Sequence, residues 1–263
     1  MRRLSLARRQ QLAVAAGLAG TTALAWVQLV RIGRSMDAAM DAAMASGLGC
    51  ELHPWTRADA ALVFAMWAVM MIGMMVPSAA PMSLLFGSVA RKARAEGAVV
   101  APTFVFVGGY LAVWTLFSAF ATGAQWGLER AALLSPMLVA TSPAFGGALL
   151  VAAGLYQWTP WKDACLAHCR APAAFLAAHW RDGTRGAFHM GVAHGAYCLG
   201  CCWLLMGLLF FGGVMNLFWV AGLALLALLE RIVPRGRAFT RLAGAALIVF
   251  GGVQLAALFS RAA

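Results

Sequence analysis

Seven apolar stretches, at residues 12–30, 60–88, 98–122, 136–157, 194–213, 215–232 and 239–259, each reach the about 17–25 residues that a helix needs to cross a bilayer. In hydrocarbon every backbone N–H and C=O must find a partner within the chain, so stretches of this length fold as helices. The expected fold is therefore all-α: a polytopic transmembrane helix bundle of about seven spans. Composition agrees, with 63% hydrophobic and 11% charged residues and a mean hydropathy of +0.81, outside the range of a soluble globular domain. The fifth and sixth stretches form one apolar run whose helix would be nearly twice as long as the hydrocarbon is thick. Gly212, Gly213 and Asn216 divide it, which predicts a tight helical hairpin.

Positive charge gives the orientation. With the N-terminus in the cytoplasm, the inner segments hold Arg2, Arg3, Arg8, Arg9, Arg91, Lys92, Arg94, Lys162, Arg170, Arg181, Arg185, Arg231, Arg235, Arg237 and Arg241. The outer side keeps only Arg31, Arg34, Arg57, Arg130 and Arg261. This places the chain across a lipid bilayer, its first partner, with the N-terminus in the cytoplasm. The net charge of +11 then reflects topology and anionic inner-leaflet lipid, and no soluble basic domain is present to bind nucleic acid. The first stretch reads as an uncleaved anchor because the apolar run continues past Ala23-Leu24-Ala25 to Val30. Cleavage there would leave six spans in the same orientation.

Two parts follow. Residues 1–59 form an anchor helix and an outer segment, in which MDAAMDAAM (Met36, Met40, Met44) predicts a short amphipathic helix on the outer surface. Residues 60–263 form a six-span membrane domain with an inner loop at 158–190. Pro77 and Pro81 predict a kink or break in the second span.

Five of the six cysteines fall in two runs. In CLAHC, Cys165, His168 and Cys169 stand at i, i+3, i+4 and share one face of a helical turn. In HGAYCLGCC, His194, Cys198 and Cys201 or Cys202 stand at i, i+4, i+7/i+8 at the inner end of a span. Thiolate and imidazole are donors for Cu(I), zinc or iron–sulfur iron. A cytoplasmic location keeps these thiols reduced and available as ligands. Cysteine is also a common small packing residue, but histidine within an apolar segment usually faces a functional interior. On the outer side, Cys50 has no partner cysteine; it stands near His53 and Met44 and suits intersubunit bridging, metal binding or a free thiol.

In the second span Met66, Met70 and Met74 stand at i, i+4, i+8, with Met71 and Met75 on the adjoining row. Thioethers select soft monovalent metal, so the stripe reads either as a Cu(I) path from the outer side or as flexible core packing. Gln125, Gln157, Asn216 and Gln254 are assigned no chemistry, and Glu230 beside Arg231 reads as an interfacial ion pair. No phosphate loop, hydrolytic triad or dinucleotide fingerprint is present.

The runs MMIGMMVPSAAPM, GLYQWTPWKDACLAHCRAP, GVAHGAYCLGCCW and GGVMNLFWVAGLALLALLE resemble a bacterial family of predicted metal-binding integral membrane proteins, the domain-of-unknown-function 2182 family. The likeness runs from about Ala60 to Ala257. It implies membrane residence and metal binding, with the family's motifs falling on Cys165, His168, Cys169, His194, Cys198, Cys201 and Cys202.

The expected function is binding of a thiophilic metal, Cu(I) ahead of zinc, at a site shared by the two cysteine runs. Transport, export, or delivery to a partner protein would use it. Rival readings are a thiol oxidoreductase in which Cys198 and Cys201 pass electrons to a quinone, haem ligation by His189 and His194, and a scaffold with packing cysteines. Small-residue helix faces also suit a homo-oligomer.

Overall fold

The structure, a computed structural model, describes residues 2–45, 55–135, 138–233 and 236–262. Cys50, Glu51 and His53 lie outside the described residues. Ten helices occur among the described residues: α1 (Arg2–Ala45), α2 (Arg57–Ala95), α3 (Thr103–Arg130), α4 (Pro143–Tyr156), α5 (Pro160–Arg170), α6 (Pro172–His179), α7 (Gly183–Gly207), α8 (Leu209–Gly212), α9 (Leu217–Ile232) and α10 (Gly236–Ala262). Extended pairing among them is confined to one bridge, between Leu134 and Ala140.

Five helical stretches are long and apolar enough to cross a membrane: Arg8–Ala39, Arg57–Ala95, Thr103–Arg130, Gly183–Gly212 and Gly236–Leu258. Each of the other two apolar runs also folds as a helix but a shorter one. Pro143, fixed at the first turn with Ser142 as N-cap, delays α4 until 14 residues remain, and α9 has 16. The divided run behaves as its glycines dictate. Gly213 adopts φ +94°, and the Asn216 side chain caps α9 by accepting from the Trp219 N–H.

Two expectations are corrected. The outer segment through Ala45 is no separate surface helix but the continuation of α1, because MDAAMDAAM holds good helix formers and no breaker. Nor is α2 broken at its prolines: it runs 39 residues through Pro77 and Pro81. Pro77 has no N–H for the Gly73 carbonyl four residues back, and Trp26 Nε1 of α1 donates to that carbonyl instead, at 3.3 Å.

Glycines bring the remaining helices together. A Cβ on Gly109 of α3 or Gly191 of α7 would strike backbone carbonyls of the facing helix, so these two helices touch main chain to main chain. Gly147, Gly154, Gly244 and Gly251 do the same between α4 and α10. The larger buried core joins the α2 methionines, Tyr110 and Trp114 of α3, and the α7 cysteines. A smaller one gathers around Phe86 of α2, Phe106 of α3 and Phe175 of α6.

Candidate metal centre

The short polar segment after α4 folds back because Thr159 caps α5, with Pro160 at its first turn, and Pro172 then starts α6. Tyr156 Oη donates to the Gly200 carbonyl and ties the end of α4 to the middle of α7. These constraints lay α5 against α7, which brings the two cysteine runs together.

On α7, Cys198, Cys201 and Cys202 form one buried stripe. The thiols of Cys201 and Cys202 both donate to the Cys198 carbonyl, at 3.1 and 3.0 Å. From α5, Cys169 hydrogen-bonds to Cys201, and the Cys165 sulfur covers Gly200 so closely that a Cβ there would lie 2.8 Å from it. All five described cysteines carry free thiols. The hydrogen bond to Cys201, then burial, hold the Cys169 thiol well above the ordinary value for cysteine. Burial, then the Cys201 charge, push Cys165 up as well.

Two other helices complete the surroundings. Arg231, in the last turn of α9, places Nη2 3.1 Å from Cys198 Sγ and 3.5 Å from the sulfurs of Cys201 and Cys202. Tyr110 of α3 donates to the Met75 carbonyl at 3.0 Å, and its oxygen lies 3.0 Å from Cys198 Sγ. Against a neutral Cys198 the phenol accepts the thiol proton; against a thiolate its own hydrogen turns to the sulfur. A guanidinium on one side and a phenol on the other are the surroundings that favour negative charge on sulfur.

Among the described residues, no three His, Cys, Asp or Glu side chains are set to hold a metal ion as they stand. The reason is local. Cys201 and Cys202 point their hydrogens at a carbonyl, and a cation already occupies the space that the three sulfurs face. The donor set itself, four thiols from two helices, is of the chemical kind that soft metals take.

The histidines go elsewhere. His194 is buried in an aromatic cage, stacked on Tyr110 and Phe106 and edge-on to Phe175, with ring centres 5.5, 6.1 and 5.5 Å away. Its Nδ1 has no hydrogen-bond partner, and Tyr110 touches both its ring and Cys198. His168 is turned to α7 as Cys165 and Cys169 are, with its ring flat on Tyr197 at 4.0 Å. His189 is exposed while His194 is buried, and five residues of helix turn them to different faces, which removes the geometry for a haem between them.

Met66, Met70, Met71, Met74 and Met75 are all buried in the same core as the cysteines, with Met75 tied through Tyr110 to the level of Cys198. Glu230 does not pair with Arg231. Successive helical residues point about 100° apart, and its carboxylate meets Lys162 Nζ at 2.7 Å and Gln157 Nε2 at 2.8 Å. Both members of this pair are essentially without solvent exposure. Arg170 donates to the Glu230 carbonyl. Sequence reasoning took Arg231 as the partner of Glu230 and Lys162 only as an inner-side charge, and passed over Tyr110. Ionisable residues closing an apolar run carried a signal for Arg231, whereas nothing local marked Tyr110.

No curated protein and no solved structure matches the chain. A family model described as a copper chaperone, PpoB2, matches residues 64–254, from the methionine stripe of α2 through both cysteine runs into α10. The motif resemblance agrees with this as far as a metal-related family, while the family name it gave is not the one the match carries. Since the match covers well over half of the sequence, the chain belongs to the PpoB2 copper chaperone family.

Proposed function

We propose that the protein is a membrane-embedded copper chaperone. It holds Cu(I) on the thiolates of Cys169, Cys198, Cys201 and Cys202, with Cys165 adjoining, and exchanges the ion with a partner protein at the cytoplasmic face. The observation that carries this reading is the gathering of three α7 sulfurs on a single guanidinium, with Cys169 of α5 joined to one of them, Cys201.

Arg231 acts as a stand-in cation. It cannot deprotonate in a protein, so it offsets thiolate charge in the metal-free state at any physiological pH. Cu(I) is also monovalent. Exchanging one for the other keeps a single positive charge among the sulfurs, and the cluster becomes more negative only by the thiol protons that uptake expels. Uptake also expels the thiol protons that Cys169, Cys201 and Cys202 carry in the metal-free protein, so affinity rises with pH. The methionines of α2 are weak, exchangeable thioether sites that lead from the outer end of the bundle to Met75.

In this reading the chain crosses the bacterial inner membrane seven times, with α4 and α9 as short crossing helices, and its N-terminus and the 158–190 loop lie in the cytoplasm. Alternation of positive charge along the sequence supports that topology. Residues 60–263 form the metal-handling unit, and residues 1–59 anchor it.

The test is elemental analysis of the purified full-length protein after loading with Cu(I), compared with C169S, C198S, C201S and C202S. Copper falls in each substituted protein if the reading is right. An unchanged copper content across the set overturns it.

A further inference from the structure

His168 and His179 occupy a second place where donors converge, apart from the cysteines. They stand on α5 and α6, which are joined by the elbow at Ala171. Their ring centres are 6.3 Å apart and the rings are tilted 73° to one another. Each Nδ1 lies within hydrogen-bond distance of the carbonyl one turn back, His168 to Ala164 at 2.9 Å and His179 to Phe175 at 3.0 Å. A carbonyl only accepts, so both Nδ1 atoms carry hydrogen and donate. A neutral ring so held leaves its lone pair on Nε2. Metal-ligating histidines are oriented in this way, the second nitrogen fixed by a backbone carbonyl.

Packing fixes the ring planes as well. His168 lies on Tyr197 with centres 4.0 Å apart and planes 4° from parallel, and His179 stacks on Phe175 at 4.5 Å and 15°. A surface cavity of about 280 Å³ is lined by Ala167, Ala171, Ala174, Phe175, Ala178 and the two histidines. The imidazoles are thus its polar side chains, and alanines keep it open. An ion about 2.0 Å from each of two opposed imidazole nitrogens separates the ring centres by about 6 Å, matching the spacing present.

We propose that His168 and His179 form a two-coordinate imidazole site for Cu(I) at the surface, through which the ion passes to or from the buried thiolates. The identity of the ion rests on the chaperone reading above; the pairing of the histidines does not. The site adjoins the thiolates through His168, which precedes Cys169 on α5 and stacks on Tyr197, the residue before Cys198 on α7. Imidazole is the weaker donor for a soft ion, so copper resting here is exchangeable with a docking protein and moves inward downhill. With two protein ligands, a third position stays open to a donor from that protein.

The full-length protein in detergent is titrated with Cu(I) alone, buffered by a competing chelator, and bound copper is counted and examined by X-ray absorption. H168Q/H179Q is expected to hold one ion fewer per chain than the native protein, with circular dichroism and gel-filtration profiles unchanged. C169S/C198S/C201S/C202S is expected to keep one ion with nitrogen donors only. Full copper content in H168Q/H179Q overturns the imidazole site and leaves the thiolate reading standing. Copper without sulfur donors in the native protein, lost in H168Q/H179Q, sinks the thiolate reading and upholds the imidazole site. If the cysteine variant does not fold, the H168Q/H179Q comparison decides alone.

Discussion

Arg231 is held by sulfur: three cysteine sulfurs lie within 3.5 Å of one nitrogen. Hydrogen bonds to charged groups contribute about 1.5–3 kcal/mol each, so R231M should destabilise the metal-free protein by at least that amount. Cu(I) replaces the missing cation, so copper should raise the melting temperature of R231M more than that of the native protein. Equal shifts in thermal unfolding would show that guanidinium and metal do not compete for the same sulfurs. The Lys162–Glu230 pair makes a separate case. Removing one partner of a buried pair costs about 3–5 kcal/mol because the other charge is stranded, while replacing both by apolar residues is often neutral. K162M and E230L alone should therefore unfold at clearly lower temperature than K162M/E230L, measured as a double-mutant cycle. Residues of this kind were only partly legible in the sequence. Spacing put His194, Cys198 and Cys201 or Cys202 on one helical stripe; all are buried, with the imidazole stacked on Tyr110 and Phe106. It also put His168 on one face with Cys165 and Cys169, and all three side chains meet α7, the imidazole on the flat face of Tyr197.

Between elements, the α3–α7 seam positions Tyr110 against Cys198. Its glycines leave no room for a side chain, since a Cβ on Gly191 would fall on the Phe106 carbonyl. G191V should push the helices apart and unhook the phenol from the sulfur. The expected outcome is faster alkylation of Cys198 by a maleimide and lower bound copper, read by mass spectrometry and elemental analysis. The stripe on α2 is a test of a different sort. Met→Leu at buried sites usually costs under about 1.5 kcal/mol, so M70L/M74L should fold and keep its copper at equilibrium. If thioethers carry the ion, loading from the outer side of proteoliposomes slows; unchanged rates would reduce the stripe to packing. Most elements were readable from hydropathy and capping, including the division at Gly213. The continuity of α2 was not, because the partner that repairs Pro77 is Trp26, 47 residues away in sequence and adjacent only in the folded protein. The start of α4 at Pro143 was missed for the opposite reason: residues 136–142 are apolar enough to extend a span, but local proline chemistry begins the helix later.

For the whole molecule, the two short helices decide which compartment the thiols face. At 1.5 Å per residue, α4 and α9 are about 21 and 24 Å long, less than the roughly 30 Å of hydrocarbon. A short helix can still cross if the bilayer thins around it, at a fraction of a kcal/mol per Å. Each Lys or Arg near the anionic inner surface contributes about 1 kcal/mol. Arg170 and Arg181 lie between α4 and α7, Arg185 lies in the first turn of α7, and Arg237 and Arg241 lie just after α9. Charge attraction of several kcal/mol thus outweighs the thinning, and both helices should cross. Alkaline phosphatase and green fluorescent protein fusions read this directly. Fusions ending after Glu96, Arg185 or Arg241 should fluoresce, and those ending after Ala45 or Arg130 should show phosphatase activity. If the fusion after Arg185 is active as a phosphatase, α4 does not cross, and Cys165, Cys169, Cys198, Cys201 and Cys202 open toward an oxidising compartment. There such closely set thiols would be driven to disulfides rather than kept as Cu(I) ligands.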